Sequence, residues 1–319
     1  MSKPDVLAVA KLHPFYQKAL ESLYTVHDRT HVTDPAAFAA LAPRIVGVAG
    51  TGEASVPRSL LAQLPNAKVV AVFGVGYDGV DVPAAIEHGI PVTHTPDVLT
   101  DDVADLAMGL VLSVGRTIPQ ADKFVRAGQW PSGPMALGRK VSGARLGIVG
   151  LGRIGKAIAK RAQAFGMSIA YTARSEKPDS GFQFYPSAAE LAANVDFLVA
   201  ITPGGAGTKH LINAEVLKAL GPRGFLINVA RGSVVDEEAL ITALQNGTIA
   251  GAGLDVFANE PNVPEALWSM RNVVLTPHMA SATTETRQAM ADLAFANMQA
   301  GIEGQPLRSP VPECMGMVK

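Results

Sequence analysis

The sequence predicts an α/β protein with two doubly wound parallel-sheet domains, and three observations point to this fold class. Short apolar runs rich in β-branched residues alternate with longer helical patterns over most of the chain. Unbroken apolar runs of this kind suit strands that are buried on both faces, as in parallel sheets covered by crossover helices. The chain has 319 residues, which is more than one hydrophobic core usually supports. We therefore expect two domains built from βαβ units.

The predicted elements follow one another along the chain with one interruption. Examples of the predicted strands are residues 45–48, 69–72, 145–149, 168–171, 197–201, 225–229 and 272–275. A single long helix is expected over residues 101–127, where apolar positions recur at helical spacing. A loop containing glycine and proline then leads to the strand at residue 145, and the chain is helical again from about Thr284.

The composition argues against several classes of partner. Apolar residues make up 48% of the chain and the formal net charge is −1, so the charge balance does not favour nucleic acid or an anionic membrane. The seven histidines are scattered, and no metal site is expected.

The only cysteine, Cys314, cannot form an intramolecular disulfide, which suits a reducing compartment. The apolar run at residues 6–10 is too short for a signal peptide or for a membrane span of about 20 residues. A soluble, cytoplasmic protein is therefore expected.

A glycine-rich turn in the middle of the chain has the sequence context of a Rossmann dinucleotide site. It lies between a predicted strand and a helical pattern at residues 156–165, and it comprises Gly150, Leu151, Gly152, Arg153, Ile154 and Gly155. The first glycine permits the tight turn, the second lets the backbone approach a pyrophosphate, and the third lets helix and strand pack closely. The amides of Arg153 and Ile154, at the start of the helix, would face the phosphates.

A second stretch, from Gly74 to Gly79, has the same glycine spacing in a different context. The helix that follows it is short, because Asp81 caps its start, Pro83 lies in its first turn and residues 89–91 end it. A dinucleotide fold needs a longer crossover helix at this point. We interpret the stretch as a loop whose backbone amides bind another anion.

The residues after the second strand of the dinucleotide domain favour NADPH over NADH. NAD enzymes place an acidic residue there, roughly 20 residues beyond the glycines, to bind the ribose 2′-hydroxyl. Here Ala173 stands in that place, and the polar or basic residues that follow include Arg174, Ser175 and Lys177. A guanidinium pairs well with a 2′-phosphate, whereas a carboxylate would repel it. Glu176 could supply the acid if the loop turned inward, so NADH remains possible.

Three polar residues lie at strand ends or in the turns that follow, where open α/β sheets place their sites. Arg231 follows the strand at residues 225–229, and His278 follows the strand at residues 272–275. Glu260 lies in the loop between them. Taken singly, each has an ordinary structural interpretation, namely a surface arginine, a loop acid and a histidine in a turn.

With their surrounding motifs, these residues make the chain resemble the D-isomer-specific 2-hydroxyacid dehydrogenase family. Several independent motifs occur in the family's order, and they are TPD at 95–97, VAD at 103–105, the glycine-rich turn, NVARG at 228–232, GLDVF at 253–257 with Glu260-Pro261, and TPH at 276–278. The resemblance spans about residues 44–310. Within the family the chain is most similar to glyoxylate/hydroxypyruvate reductases and plant hydroxyphenylpyruvate reductases, which share residues 95–107 and the Arg174-Ser175 pair.

The resemblance and the chemistry of reducing a 2-keto acid assign a role to each polar residue. His278 is the expected proton donor, because imidazole titrates near neutral pH. Glu260 would hydrogen-bond to His278 and stabilise its imidazolium form, while Arg231 would bind the substrate carboxylate and polarise the carbonyl group. As in the family, the amides of Val75 and Gly76 would bind the same carboxylate.

The resemblance also implies a domain organisation, further cofactor contacts and an oligomer. A flavodoxin-like substrate domain, residues 1–99 and 284–319, would be split around a Rossmann cofactor domain, residues 100–283. Asp255 would hold the nicotinamide carboxamide, and additional cofactor contacts are expected from Thr202, Val229 and Ala280. A homodimer is expected, built around the helix at residues 101–127.

Three functions are compatible with these features. The first is NADPH-dependent reduction of a small 2-keto acid, such as glyoxylate or hydroxypyruvate, to the D-2-hydroxy acid. The second is the same chemistry on a bulkier 2-keto acid, such as hydroxyphenylpyruvate or 2-ketogluconate. It stays open because animal glyoxylate reductases carry a further tryptophan in the loop after Trp130, whereas this chain has Gly133 and Met135 there. A tight pocket restricted to very small substrates is therefore not assured. The third is a corepressor-like binding protein that senses a dinucleotide.

Overall fold

The structure is a computed structural model that describes residues 3–317. The outermost residues of the predicted substrate domain, 1–2 and 318–319, lie outside the described residues. In chain order the strands are β1 (Asp5–Ala8), β2 (Thr25–Asp28), β3 (Ile45–Thr51), β4 (Val70–Phe73), β5 (Val92–Thr93), β6 (Arg145–Val149), β7 (Ser168–Thr172), β8 (Gln183–Phe184), β9 (Phe197–Ala200), β10 (Phe225–Asn228), β11 (Gly251–Leu254) and β12 (Val273–Leu275).

The α-helices range from single turns to a 20-residue element near the C-terminus. In chain order they are α1 (Pro14–Leu23), α2 (Thr30–Thr33), α3 (Pro35–Leu41), α4 (Arg58–Leu61), α5 (Val82–Glu87), α6 (Thr100–Gly115), α7 (Ile118–Arg126), α8 (Arg153–Ala164), α9 (Ala188–Ala192), α10 (Ala214–Leu220), α11 (Glu237–Gln245), α12 (Glu265–Trp268) and α13 (Thr284–Glu303). None of these helices combines the length and the apolar character needed to cross a lipid bilayer.

Side-chain caps begin many of these helices. In each case an Asp, Asn, Ser or Thr oxygen accepts a hydrogen bond from the backbone amide three residues later, and the capping residues are Asp34, Asp81, Ser187, Asn213, Asp236 and Thr283. A cap of this kind contributes about 1 kcal/mol by satisfying an amide that has no acceptor inside the helix. The starts of these helices are therefore determined by residues of the local sequence.

The chain forms two compact units. One unit contains the chain up to Leu99 together with the chain from Ala282 onward, and the other runs from Thr100 to Ser281. Each unit has its own sheet and its own hydrophobic core. Every pairing between neighbouring strands of the two sheets is parallel, which confirms the predicted α/β class with two parallel-sheet domains.

The first unit has the strand order β2-β1-β3-β4-β5, which is the flavodoxin-like order. Helix α13, from the C-terminal part of the chain, packs against α1, β3 and β4. The tail beyond α13 also enters the core, where Val311 and Cys314 are buried. The backbone amide of Val92 donates a hydrogen bond to Cys314 Sγ at 3.3 Å. The core of this unit is therefore assembled from both ends of the chain.

The second unit has the strand order β12-β11-β10-β9-β6-β7-β8. Counted from β6, this is the Rossmann order with one strand added beyond the sixth. Helix α6 packs across the sheet against α8, β10 and β11. The approach is close at β11, because a Cβ atom on Gly253 would lie 3.0 Å from Leu110 Cβ.

The single helix predicted over residues 101–127 is wrong, because the structure has two helices there. Helix α6 ends at Gly115 and α7 begins at Ile118, with Thr117 between them in the left-handed region at φ 51°. Pro119 lies in the first turn of α7. Its ring lacks an amide hydrogen and would clash with the carbonyl group four residues earlier, at Gly115. That carbonyl oxygen instead accepts a hydrogen bond from the amide of Arg139 at 2.7 Å.

Candidate active site

The glycine-rich turn joins β6 to α8 in the second unit. Gly150 has a φ of 106°, and a Cβ atom on it would lie 2.6 Å from the carbonyl oxygen of Ile201. A Cβ atom on Gly155 would collide with the Gly150 carbonyl oxygen and lie 3.3 Å from a methyl group of Ile148. Both positions therefore require glycine, the first for its backbone conformation and the second for close packing of helix on strand.

The start of α8 offers space and hydrogen-bond donors for a phosphate group. Apart from Gly152 itself and the adjacent backbone, no heavy atom of the described residues lies within 4 Å of where a Cβ atom of Gly152 would stand. Gly152 precedes the first turn of α8, and the backbone amides of that turn, including those of Arg153 and Ile154, point toward the N-terminal end of the helix. The open space and the positive end of the helix dipole fit the pyrophosphate of a dinucleotide.

The loop after β7 carries the residues expected to read the cofactor's ribose. Arg174 and Ser175 are exposed directly beyond the buried end of the strand. Lys177 folds back toward the glycine-rich turn, and its Nζ donates a hydrogen bond to the carbonyl oxygen of Leu151 at 2.8 Å. Its backbone amide donates to the hydroxyl of Tyr171 at 2.6 Å. The cationic end of Lys177 is thus held beside the turn that would receive the phosphates.

Residues at three further strand ends lie along the same edge of the sheet. Thr202 follows β9 and Val229 follows β10 directly, and Val229 is buried. Ala280, also buried, lies in the segment that follows β12. The structure brings these predicted cofactor contacts to the carboxyl edge, where a doubly wound sheet binds its ligand.

His278 and Glu260 form a close hydrogen-bonded pair. His278 Nδ1 lies 2.6 Å from Glu260 Oε2, and the other carboxylate oxygen of Glu260 accepts a hydrogen bond from the Phe257 amide at 3.0 Å. The two side chains are 40% and 20% exposed, so the histidine is reachable while the glutamate is more enclosed. With an ionised carboxylate as its acceptor, Nδ1 carries the proton, and this contact fixes the tautomer and orientation of the ring.

The environment of Glu260 favours its ionised form. Burial acts to raise the pKa of this carboxyl group, but hydrogen bonds from His278 and the Phe257 amide act in the opposite direction, assisted by the charges of His278 and Arg231. The net result is a pKa below the ordinary value of glutamate. Glu260 therefore remains a carboxylate at neutral pH and can stabilise a protonated His278.

Arg231 is brought toward this pair by the glycine that follows it. A Cβ atom on Gly232 would collide with the backbone of Phe257, so the loop after β10 touches the loop that leads to Glu260. Nη1 of Arg231 donates a hydrogen bond to the carbonyl oxygen of Ala230 at 2.8 Å. This contact between backbones leaves no room for any side chain at residue 232.

Asp255 has a structural use that sequence reasoning missed. It is completely buried, and Oδ1 accepts hydrogen bonds from the hydroxyl of Thr276 at 2.7 Å and the amide of Met279 at 2.9 Å. Oδ2 accepts from the amide of Ala280 at 3.0 Å. Burial raises the pKa of Asp255, although these three hydrogen bonds oppose that shift. Asp255 thus holds both sides of the His278 loop, and its expected contact with the nicotinamide stays a prediction.

The loop from Gly74 to Gly79 lies in the first unit, at the end of β4. A Cβ atom on Gly79 would collide with the carbonyl oxygen of Ala54, so this glycine is required by packing. The short helix after the loop is confirmed, with Asp81 as its cap. Val75 and Gly76, the predicted carboxylate ligands, are half-buried in this loop.

Comparison with known proteins shows which family this chain is similar to. Residues 108–280 match the profile described as "D-isomer specific 2-hydroxyacid dehydrogenase, NAD binding domain". A hydroxyphenylpyruvate reductase of Plectranthus scutellarioides is 48% identical over 98% of this chain and 100% of its own length. A 2-ketogluconate reductase of Gluconobacter oxydans is 44% identical over 97% of this chain and 99% of its own length.

A solved structure extends the similarity to three dimensions. The crystal structure of an NADPH-dependent glyoxylate/hydroxypyruvate reductase from Sinorhizobium meliloti, in complex with NADP and malonate, is 47% identical to this chain. It superposes with a TM-score of 0.91 over 98% of both chains. The resemblance inferred from the motifs is thereby confirmed, and the nicotinamide dinucleotide cofactor class with it.

The lowered pKa of Glu260 predicts how the stability of the protein depends on pH. A depressed carboxyl pKa contributes stability that is complete above the unfolded value, about 4.3 for glutamate, and that is lost as the pH falls through the folded value. Glu260→Gln removes this contribution. We expect the wild type to exceed the variant in free energy of unfolding at pH 7, and the difference to shrink as the pH falls below about 4.3. Denaturant unfolding across this range measures it.

The exposed Glu265 provides the matched control. We expect the Glu265→Gln substitution to produce a much smaller pH-dependent difference from the wild type. A Glu260→Gln difference that stays constant or grows toward acidic pH would contradict the environment described for this carboxylate.

Proposed function

This chain belongs to the D-isomer specific 2-hydroxyacid dehydrogenase family, and we propose on that premise that it uses NADPH to reduce a small 2-keto acid of the glyoxylate or hydroxypyruvate type to the D-2-hydroxy acid. The observation that carries the proposal is the 2.6 Å pair of His278 and Glu260. A histidine held this way by an ionised carboxylate suits delivery of a proton to a carbonyl oxygen.

The proposed chemistry uses three side chains of the second unit. Protonated His278 gives its proton to the substrate's carbonyl oxygen, and Glu260 stabilises the imidazolium before that transfer. Arg231 pairs with the substrate carboxylate and polarises the carbonyl group, as a planar guanidinium can do with two parallel hydrogen bonds. The bound reduced nicotinamide supplies the hydride that C2 of the substrate accepts. His278 regains its proton from water after the product leaves.

The remaining predicted site residues keep their roles as parts of the proposal. The amides of Val75 and Gly76 would donate to the substrate carboxylate. The glycine-rich turn, from Gly150 to Gly155, would hold the pyrophosphate. The nicotinamide half of the cofactor would contact Asp255, Thr202, Val229 and Ala280.

A bulkier substrate is the second candidate. Two relatives that cover almost the whole chain are named for hydroxyphenylpyruvate and for 2-ketogluconate, and their identities of 48% and 44% are close to the 47% of the glyoxylate/hydroxypyruvate reductase. A dinucleotide-sensing binding protein is the distant third, and it would bind cofactor without turning over any 2-keto acid.

The central experiment measures oxidation of NADPH and NADH by the purified protein with glyoxylate, hydroxypyruvate, hydroxyphenylpyruvate and 2-ketogluconate. We expect turnover, with the largest kcat/KM on one of the two small acids. His278→Ala should lower kcat by at least about 100-fold, and Arg231→Ala should raise KM and lower kcat/KM on the order of 100-fold. His210→Ala and Arg223→Ala, at partly exposed and exposed positions of the same unit, are the matched controls. Absence of turnover with all four acids would defeat the enzyme proposal.

NADPH preference is proposed from the exposed Arg174-Ser175 pair and the adjacent ammonium group of Lys177. An NADPH-dependent relative at 47% identity supports it. We expect Arg174→Ala to raise the KM for NADPH by about 10-fold, since a charge-assisted contact with the 2′-phosphate is lost, and to leave the KM for NADH nearly unchanged. Lys218→Ala, on α10, is the control. Equal changes for the two cofactors would remove the argument from Arg174.

A homodimer completes the proposal on the assembly. None of the residues of α7 is buried, although this helix and the segment after it carry large apolar side chains. Their exposed fractions are 50% for Ile118, 54% for Val125, 67% for Trp130 and 100% for Leu137. Exposed apolar side chains grouped within 20 residues of sequence indicate a surface that another molecule covers. A second copy of the chain is the occupant that we propose.

Sedimentation velocity tests the dimer. We expect the wild type to sediment as a dimer and Leu137→Asp to shift it toward the monomer, because a carboxylate would be buried without a partner. Leu137 is fully exposed, so the substitution does not disturb the fold of the unit. Val32→Asp, at a 64% exposed position of the first unit, should leave the dimer intact. A monomeric wild type would contradict the assembly and leave the catalytic proposal untouched.

A reducing compartment such as the cytoplasm is the last part of the proposal. It rests on cysteine usage, since Cys314 is the only cysteine and is buried. A chain with one buried thiol draws no stability from disulfides, which is the usual situation in the cytoplasm.

A further inference from the structure

The loop that carries Val75 and Gly76 is held from one side by a single segment, His94-Thr95. The carbonyl oxygen of Val75 accepts a hydrogen bond from His94 Nδ1 at 2.8 Å. The carbonyl oxygen of Gly74 accepts one from the backbone amide of Thr95, also at 2.8 Å. Because the acceptor is a carbonyl oxygen, Nδ1 of His94 must carry the hydrogen, and the tautomer of the ring follows from the geometry.

These two hydrogen bonds determine the direction of two amide groups. The carbonyl group and the amide hydrogen of a trans peptide point in opposite directions. Holding the carbonyl groups of Gly74 and Val75 toward one segment therefore turns the amide hydrogens of Val75 and Gly76 away from it. Two successive amides presented on one side form a concavity that binds anions. The bond to Val75 O also polarises the peptide that contains the Gly76 amide and so strengthens that donor.

The imidazole of His94 is itself fixed by neighbouring groups of the first unit. The ring of Tyr77 lies against it edge-on, with centroids 5.5 Å apart and an interplanar angle of 89°. The hydroxyl of Tyr77 donates to the carboxylate of Glu313, whose Oε2 is 3.1 Å away. Burial and the charge of Glu313 raise the pKa of Tyr77 to about 12. Tyr77 therefore stays neutral and keeps this hydrogen bond throughout the physiological range.

The backbone of His94 is linked to α13 through Ser309. Ser309 Oγ donates a hydrogen bond to the carbonyl oxygen of His94 at 2.6 Å, and the amide of His94 donates to Ser309 O at 3.1 Å. Ser309 Oγ in turn accepts from the side-chain amide of Asn297 at 2.7 Å. Asn297 is completely buried in α13. A connected set of hydrogen bonds thus runs from a buried helix residue through Ser309 and His94 to Val75.

We propose that His94 is a positioning residue for the substrate carboxylate, because its Nδ1–H holds the Val75–Gly76 peptide with the Gly76 amide turned outward. This inference rests on the proposed function, in which the amides of Val75 and Gly76 bind that carboxylate. It assigns to the histidine a role in substrate affinity without any contact with the substrate. Asparagine can replace it in this role, since Nδ2 of asparagine stands at the same number of bonds from the backbone as Nδ1 of histidine.

Steady-state kinetics of His94→Leu and His94→Asn test the proposal. Leucine keeps a branched side chain and removes the donor, so the KM for the keto acid should rise roughly 3- to 10-fold, which is the range expected for loss of one neutral hydrogen bond. The KM for NADPH and the melting temperature should change little. His94→Asn should restore the keto-acid KM to within about twofold of the wild type. His88→Leu, at an exposed position of the same unit, is the control and should change neither KM.

Three outcomes would overturn the proposal. One is an unchanged keto-acid KM in folded His94→Leu, and another is equal impairment of His94→Asn and His94→Leu. The third is an NADPH KM that rises as much as the keto-acid KM, since that would indicate a general disturbance.

An amide readout separates this inference from the proposed function. If the wild type turns over no 2-keto acid, the proposed function fails, and the ¹⁵N–¹H resonance of Gly76 then decides whether His94 holds the peptide. His94→Leu should move that resonance and His94→Asn should keep it near its wild-type position. A resonance that does not respond to His94→Leu would overturn the positioning role independently of catalysis.

Discussion

The parallel direction of all strands is the constraint on which the candidate site depends. When every strand of a sheet runs the same way, the carboxyl ends of all strands meet at one edge, and the loops that leave them become neighbours in space. Residues far apart in the sequence are thereby collected without any special device. In the second unit this edge receives the glycine-rich turn, Arg174, Arg231 and the loop of His278.

Two local features refine this placement from neighbourhood to contact. The absence of a side chain at Gly232 lets the loop after β10 lie directly on the loop that leads to Glu260. The buried carboxylate of Asp255 satisfies three donors from the segment that contains His278. Each unsatisfied buried donor would cost about 1–3 kcal/mol, so the loop is strongly constrained at these points. The positions of His278 and Glu260 are therefore held by neighbouring residues, Gly232 and Asp255, in addition to the hydrogen bond between the two side chains.

The sequence was most informative where local chemistry and the global fold agree. Strands with β-branched residues, such as β9 and β10, could be predicted because they are buried on both faces. The strand β11 was missed, since its sequence GAGL contains no β-branched residue. Its glycines are explained by tertiary contacts, since α6 passes close over Gly253 and a Cβ atom on Gly251 would collide with the carbonyl oxygen of Asn272. Strand β2, with the sequence TVHD, lies at the edge of the first sheet. Its residues are exposed or half-buried, so the strand lacks the continuous apolar run that would have predicted it.

The site shows the same division. The acid, its carboxylate partner and the arginine were predicted as a set because their motifs have a known order, and the structure brings Glu260 and His278 within hydrogen-bonding distance. The structural use of Asp255 could not be predicted, because it depends on which amides face the carboxylate after β11 and β12 are aligned. The break between α6 and α7 was signalled by Pro119, but the helical periodicity on both sides concealed it.

The two-ended construction of the first unit has a consequence for synthesis on the ribosome. The N-terminal strands emerge first, yet their core is completed by Val311 and Cys314. The outer side of the edge strand β5 also depends on the tail, because the amide of Val311 donates a hydrogen bond to the carbonyl oxygen of Val92. Helix α13, which packs on β3 and β4, also emerges late. The contiguous second unit can close while the first still exposes apolar surface. We therefore expect an interval during translation in which the first unit, whose N-terminal strands emerge before the second unit, is the later of the two to become native, and chaperones that shield apolar strands would act on it.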